Sequence, residues 1–159
     1  MQNKNYISVL KQGLVKKIHI LEQLMEKNVR QRELLADPEL EPEEFEASIN
    51  EKAALIDELT AIDDGFEQVY ERVRDEIQKH RNDYAADISQ MQQYIAEIME
   101  KSTQVQTEEQ RNRELILKKF ADVKKQIREV KSGKKAVDQY YHNMMKLNYV
   151  EPQFMDNKK

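Results

Sequence analysis

Three histidines, His19, His80 and His142, are the side chains best suited to metal ligation or proton transfer near neutral pH. They are far apart in sequence, and none stands in a His-x-x-x-His or Glu-x-x-His arrangement that would place two ligands on one helix face. They read as ordinary surface or seam residues, and no metal site is expected. Carboxylates are abundant, as in Asp63-Asp64 and Glu43-Glu44-Glu46, but neighbours on a helix point apart and nothing suggests a pocket that would raise a pKa. They read as solvated faces. With Gly13, Gly65 and Gly133 as the only glycines, no Gly-rich phosphate loop exists, which argues against a nucleotide enzyme. There is no cysteine, hence no disulfide, thiolate metal site or cysteine nucleophile. A non-enzymatic protein without cofactors is expected.

The chemistry that remains is recognition. Beyond Gly133 the chain gathers Tyr140, Tyr141, Met144, Met145, Leu147, Tyr149, Val150, Phe154 and Met155 into one short polar-flanked segment. Apolar side chains on a terminus call for a cover. Methionine repacks against varied surfaces and tyrosine offers area with a polar handle, so the segment suits a partner. Ala136, Tyr140 and Met144 recur at steps of four, and Val137, Tyr141 and Met144 at four and three, so residues 134–147 fit a short amphipathic helix. That helix either folds back as additional core or serves as a recognition segment. Pro152 ends any continuation and leaves residues 153–159 extended.

Composition sets the frame for this tail. The 159 residues, 39% hydrophobic and 35% charged, suit an elongated helical protein with a thin apolar seam. Lys4, Lys11, Lys16 and Lys17 interrupt any apolar run near the N-terminus, and no run approaches the roughly 18 residues of a membrane span. A cytoplasmic protein with no membrane insertion is expected. Charge is segregated: residues 1–36 hold 7 Lys/Arg against 3 Asp/Glu, residues 37–100 hold 5 against 19, and residues 101–159 hold 14 against 8. Opposite charges beside an antiparallel seam favour one register. Nucleic acid is not the expected partner, because the basic residues are interleaved with acids and the whole chain carries a net charge of −4.

The fold class read from these patterns is all-α. Three long helices, at about 5–36, 42–79 and 83–131, form an elongated antiparallel bundle or coiled coil over residues 1–132, followed by a flexible or short-helical tail at 133–159. Leu10, Leu14, Ile18, Leu21 and Met25 mark the first stripe at steps of three and four. Asp37-Pro38 ends it, and Pro42 followed by Glu43 and Glu44 opens the second helix. The second stripe keeps its phase through Asp63-Asp64-Gly65, so Gly65 reads as a helix-interior glycine, with a hairpin as the alternative. Between the second and third helices, residues 78–83 are polar throughout, and Asn82 or Asp83 can cap the third helix. No Gly or Pro enforces a reversal there, which leaves one continuous helix as the alternative. Helix lengths favour the reversal, since about 48 Å of first helix cannot cover an uninterrupted helix to Lys131 at 1.5 Å per residue. Residues 102–113 are the polar part of the third stripe, with Val105 as its aliphatic residue, and read as a polar layer that specifies register. A capping box at Thr107-Glu108-Glu109-Gln110 is the alternative. Lys131 and Gly133 read as a helix stop.

This layout resembles the FlgN family of flagellar type III export chaperones. The resemblance is carried by Leu21-Glu22-Gln23-Leu24 in the first helix, by Glu51-Lys52-Ala53-Ala54-Leu55-Ile56-Asp57-Glu58-Leu59, similar to a Lys-x-x-Leu-hydrophobic-x-x-Leu stretch, and by Asn112. Tyr140-Tyr141 and residues 154–159 are similar to endings of clostridial members. Many members have paired asparagines where this chain has Asn112-Arg113. The resemblance implies a cytoplasmic chaperone that binds hook-filament junction proteins, prevents premature assembly and delivers them to the export gate. On that basis Leu115, Ile116, Phe120, Val123, Met144, Met145, Tyr149 and Phe154 are candidate client contacts, and Tyr140 and Tyr141 are candidate export-gate contacts. The alternative is a structural coiled-coil adaptor that self-associates, and a homodimer is compatible with either reading.

Overall fold

Apolar steps of three and four residues are realised as four helices: α1 (Gln2–Ala36), α2 (Pro42–Lys79), α3 (Ala85–Asp122) and α4 (Ile127–Met145). The structure, a computed structural model, describes residues 2–122 and 127–145. Among the described residues there is no strand. The first three helices reverse at each turn, and α1 packs against both α2 and α3, while α4 packs against α2. Cross-helix pairs give the register. Lys17 meets Asp63 at 2.6 Å and Lys27 meets Glu51 at 3.0 Å, as antiparallel α1 and α2 require, while Lys11 meets Asp87 as parallel α1 and α3 require.

Each reversal has a local cause. Before Pro38 the chain leaves α1 with Asp37 N donating to Leu34 O, and the Asp37 carboxylate accepts from Glu39 N at 2.9 Å. Glu41 occupies the N-cap position of α2 in extended conformation, with Pro42 in the first turn and Glu43 and Glu44 near the positive end of the helix dipole. The 79–85 reversal uses neither Gly nor Pro. His80 N still donates to Glu76 O, and Asp83 N and Tyr84 N both return to His80 O, so the backbone stays satisfied through the turn. The first helical bond of α3 then runs from Ile88 N to Tyr84 O.

Two expectations are corrected. The third helix does not run to Lys131: α3 ends at Asp122 and a fourth helix begins at Ile127. Gly133 is not a stop, since α4 passes through it and no described glycine has positive φ. A glycine inside a helix costs about 1 kcal/mol. Burying the α4 face of Val137, Tyr140, Tyr141 and Met144 outweighs that cost.

Gly65 lies inside α2, as the unbroken stripe indicates. A methyl group added there would meet nothing within 4 Å. Gly65→Ala is therefore expected to raise stability by about 0.5–1 kcal/mol, by removing unfolded-chain entropy without strain. Chemical denaturation, read as a higher midpoint at unchanged slope, checks this.

Candidate partner-binding site

Where α4 meets the bundle, the core is polar. Lys52 stands on α2 between Ile49 and Ile56, at the phase of an apolar residue, and is completely buried. Its ammonium donates to Glu109 Oε2 of α3 at 2.9 Å and to Gln31 Oε1 of α1 at 2.9 Å, with Glu109 Oε1 also at 2.9 Å. The Tyr140 ring of α4 covers the same ammonium, 4.6 Å from nitrogen to ring centroid. One cation thus joins all four helices.

Around it the hydrogen bonds close into a network. Tyr140 donates its hydroxyl to Glu109 Oε1 at 2.6 Å, and Tyr141 donates to the Glu109 backbone oxygen at 3.1 Å. Gln31 donates to Ser48 Oγ, which in turn donates to Phe45 O. Asn112 donates to Asn28 O and to Gln31 Oε1. The Arg113 guanidinium lies 5.3 Å from the Tyr141 ring centroid. The two tyrosines meet edge to face at 5.1 Å.

Burial governs the electrostatics. Desolvation drives the Lys52 pKa below the usual lysine range, against the attraction of Glu109 and Glu108. Burial pushes the Tyr141 hydroxyl well above its usual range, and the Glu109 charge adds to the rise. Glu108 is raised by burial, opposed by Asn28 and Arg32. No hydrogen bond of normal length and angle closes between Glu108 Oε1 and the Asn28 carboxamide.

The chemistry available here is docking by shape and hydrogen bonding. Among the described residues no group of His, Cys, Asp or Glu is arranged to hold a metal ion, and no helix is long and apolar enough to cross a membrane. A family model described as FlgN protein matches residues 1–144. The chain belongs to the FlgN family. No curated protein and no solved structure matches it significantly. FlgN proteins are flagellar export chaperones that bind flagellar proteins, and that general role extends to this chain. Two of the residues that carried the resemblance, Lys52 and Asn112, belong to the buried network.

In this FlgN-family chain the candidate contacts divide sharply. Tyr140 and Tyr141 are buried, at 1% and 9% exposure, so a partner reaches them only if α4 moves. Ile116 and Met144 are buried, Leu115 and Phe120 are half-buried, and Phe120 meets the Phe45 ring edge-on at 5.7 Å. Met145, at 83% exposure, is open to solvent. Val123, Tyr149 and Phe154 lie outside the described residues. The sequence reading missed Lys52 and Glu109 as the centre of the site. Their signal was phase: Lys52 lies seven residues from both Phe45 and Leu59, and Glu109 lies four from Val105 and seven from Ile116.

Two predictions arise from this geometry. Lys52→Ala leaves Glu109 buried without its counter-ion and should cost about 3–5 kcal/mol in denaturant unfolding, whereas Lys52→Met combined with Glu109→Leu should recover most of that loss. Tyr141 has a folded pKa raised above its ordinary 10.0, so its contribution is fully present below pH 10 and is lost as pH rises through the folded value. Alkaline titration followed by tyrosinate absorbance and stability should show α4 docking weakening above pH 10. Tyr141→Phe should reduce that alkaline loss.

Proposed function

We propose that this chain binds hook-filament junction proteins, keeps them from assembling before export and delivers them to the type III export gate. The observation that carries the proposal is the family match over residues 1–144. The physical logic is compatible. A subunit awaiting export presents an amphipathic terminal helix, and a bundle that seats its own amphipathic helix α4 on α2 already has a surface for such a face.

Exposed Met145 and half-buried Leu115 and Phe120 are the client contacts open without rearrangement. Ile116 and Met144 join them when α4 swings away, and Val123, Tyr149 and Phe154 are assigned to the client by their place in the sequence. Tyr140 and Tyr141 remain the proposed gate contacts, offered once α4 leaves the bundle. A polar floor lowers the cost of that departure, because Lys52 and Glu109 regain water when uncovered.

The test is a pull-down of junction proteins by the full chain, by a chain lacking residues 134–159, and by Met145→Asp, with bound proteins identified by mass spectrometry. Recovery is expected to fall at least several-fold for the truncated chain and measurably for Met145→Asp, whose exposed site leaves the fold intact. Equal recovery by all three would place client binding outside α4 and the tail.

A further inference from the structure

The face of α2 that meets α4 continues beyond the end of α4. Lys52, Leu59, Phe66 and Val73 recur at seven-residue spacing along it. Lys52, Leu59 and Val73 are each completely buried. Phe66, with its neighbours Ile62, Val69 and Tyr70, is only half-buried, although the Phe66 and Tyr70 rings stack at 6.4 Å. A shallow apolar notch thus interrupts an otherwise closed seam.

Its position relative to α4 says what would fill it. Tyr140 sits at the level of Lys52, and α4 runs antiparallel to α3 and therefore parallel to α2, since Tyr140 and Glu109 each lie 13 residues from the α3–α4 connection ends at Ile127 and Asp122. Met145, five residues past Tyr140, ends α4 near the level of residue 57 and heads for the notch. Phe66 is nine residues further, about 13 Å at helical rise. The 14 residues after Met145 span about 46 Å extended, and they carry Leu147, Tyr149, Val150, Phe154 and Met155. On α3, Met99 lies two seven-residue steps from Arg113, which touches α4, and is 44% exposed at the rim of the same face.

We infer that the chain's own terminal segment, residues 146–159, seats its apolar side chains in the Ile62–Tyr70 notch and extends the α4 seam along α2. The occupant is intramolecular because the tether delivers it there at high effective concentration, with the apolar residues a partly covered face needs. A client that takes Tyr149 and Phe154 would compete with this seat. The inference concerns the free chain, so its failure leaves the family reading untouched.

The absence of native cysteine makes a direct test possible. Met99→Cys paired with Asn148→Cys should cross-link within one chain, at a rate independent of protein concentration and at least several-fold faster than Val9→Cys paired with Asn148→Cys. Val9 lies exposed on α1 and provides the comparison. Adding Leu147→Ser, Val150→Ser and Phe154→Ser to the first pair should slow its cross-linking toward the Val9 rate, with unchanged circular dichroism. Equal rates for both pairs, or no slowing by the serine changes, would overturn the inference. Cross-links between chains that grow with concentration would overturn it in favour of a second copy.

Discussion

A single buried ammonium holds the four helices in register. Lys52 of α2 reaches Glu109 of α3 and Gln31 of α1 and lies beneath the Tyr140 ring of α4, with no exposure to water. Removing a lysine and a carboxylate from water costs several kcal/mol per ion, and only close pairing with all hydrogen bonds made returns it. Helix sliding by one residue would break several of these bonds at once. Apolar side chains along the same seam tolerate small shifts, so register is set by the polar layer and stability by the leucines and isoleucines on either side.

The same layer shapes what the protein can do. A helix docked on a wholly apolar floor leaves at the full cost of exposing that floor. Here part of the floor is charged and recovers hydration on opening, which makes α4 a cover with a comparatively low cost of removal. Its tyrosines answer the floor specifically: one hydroxyl donates to the Glu109 carboxylate, the other to its backbone. Any helix replacing α4 must match those acceptors or leave them unpaired. For an export chaperone, which must hold and release, a polar-floored seat suits both steps.

The segregated charge of the sequence appears as cross-helix pairing. Lys11, Lys17 and Lys27 of basic α1 meet Asp87, Asp63 and Glu51 of the acidic middle. The Lys17–Asp63 contact lies deep enough that burial raises the Asp63 pKa despite the lysine beside it. These pairs select the antiparallel arrangement over mispairing while adding little net stability where they are exposed. The reversal at residues 79–85 was the least legible turn, because His80, Asn82 and Asp83 close it with backbone bonds that need neither glycine nor proline.

Sequence by itself determined the all-α class, the first two helices, the passage of α2 through Gly65, the polar layer near residues 102–113 and the amphipathic face of residues 136–144. All of these follow from local periodicity and turn chemistry, which neighbouring residues specify. Tertiary structure alone decided that the third stripe is two helices, that Gly133 lies inside α4, and that Tyr140 and Tyr141 face inward. It also decided that Lys52, 57 residues from Glu109, is its partner. A glycine near a helix end has nearly equal local energies as stop or interior, and a lysine in an apolar phase can snorkel or pair. In each case the deciding term is burial against another helix, which lies beyond any local window.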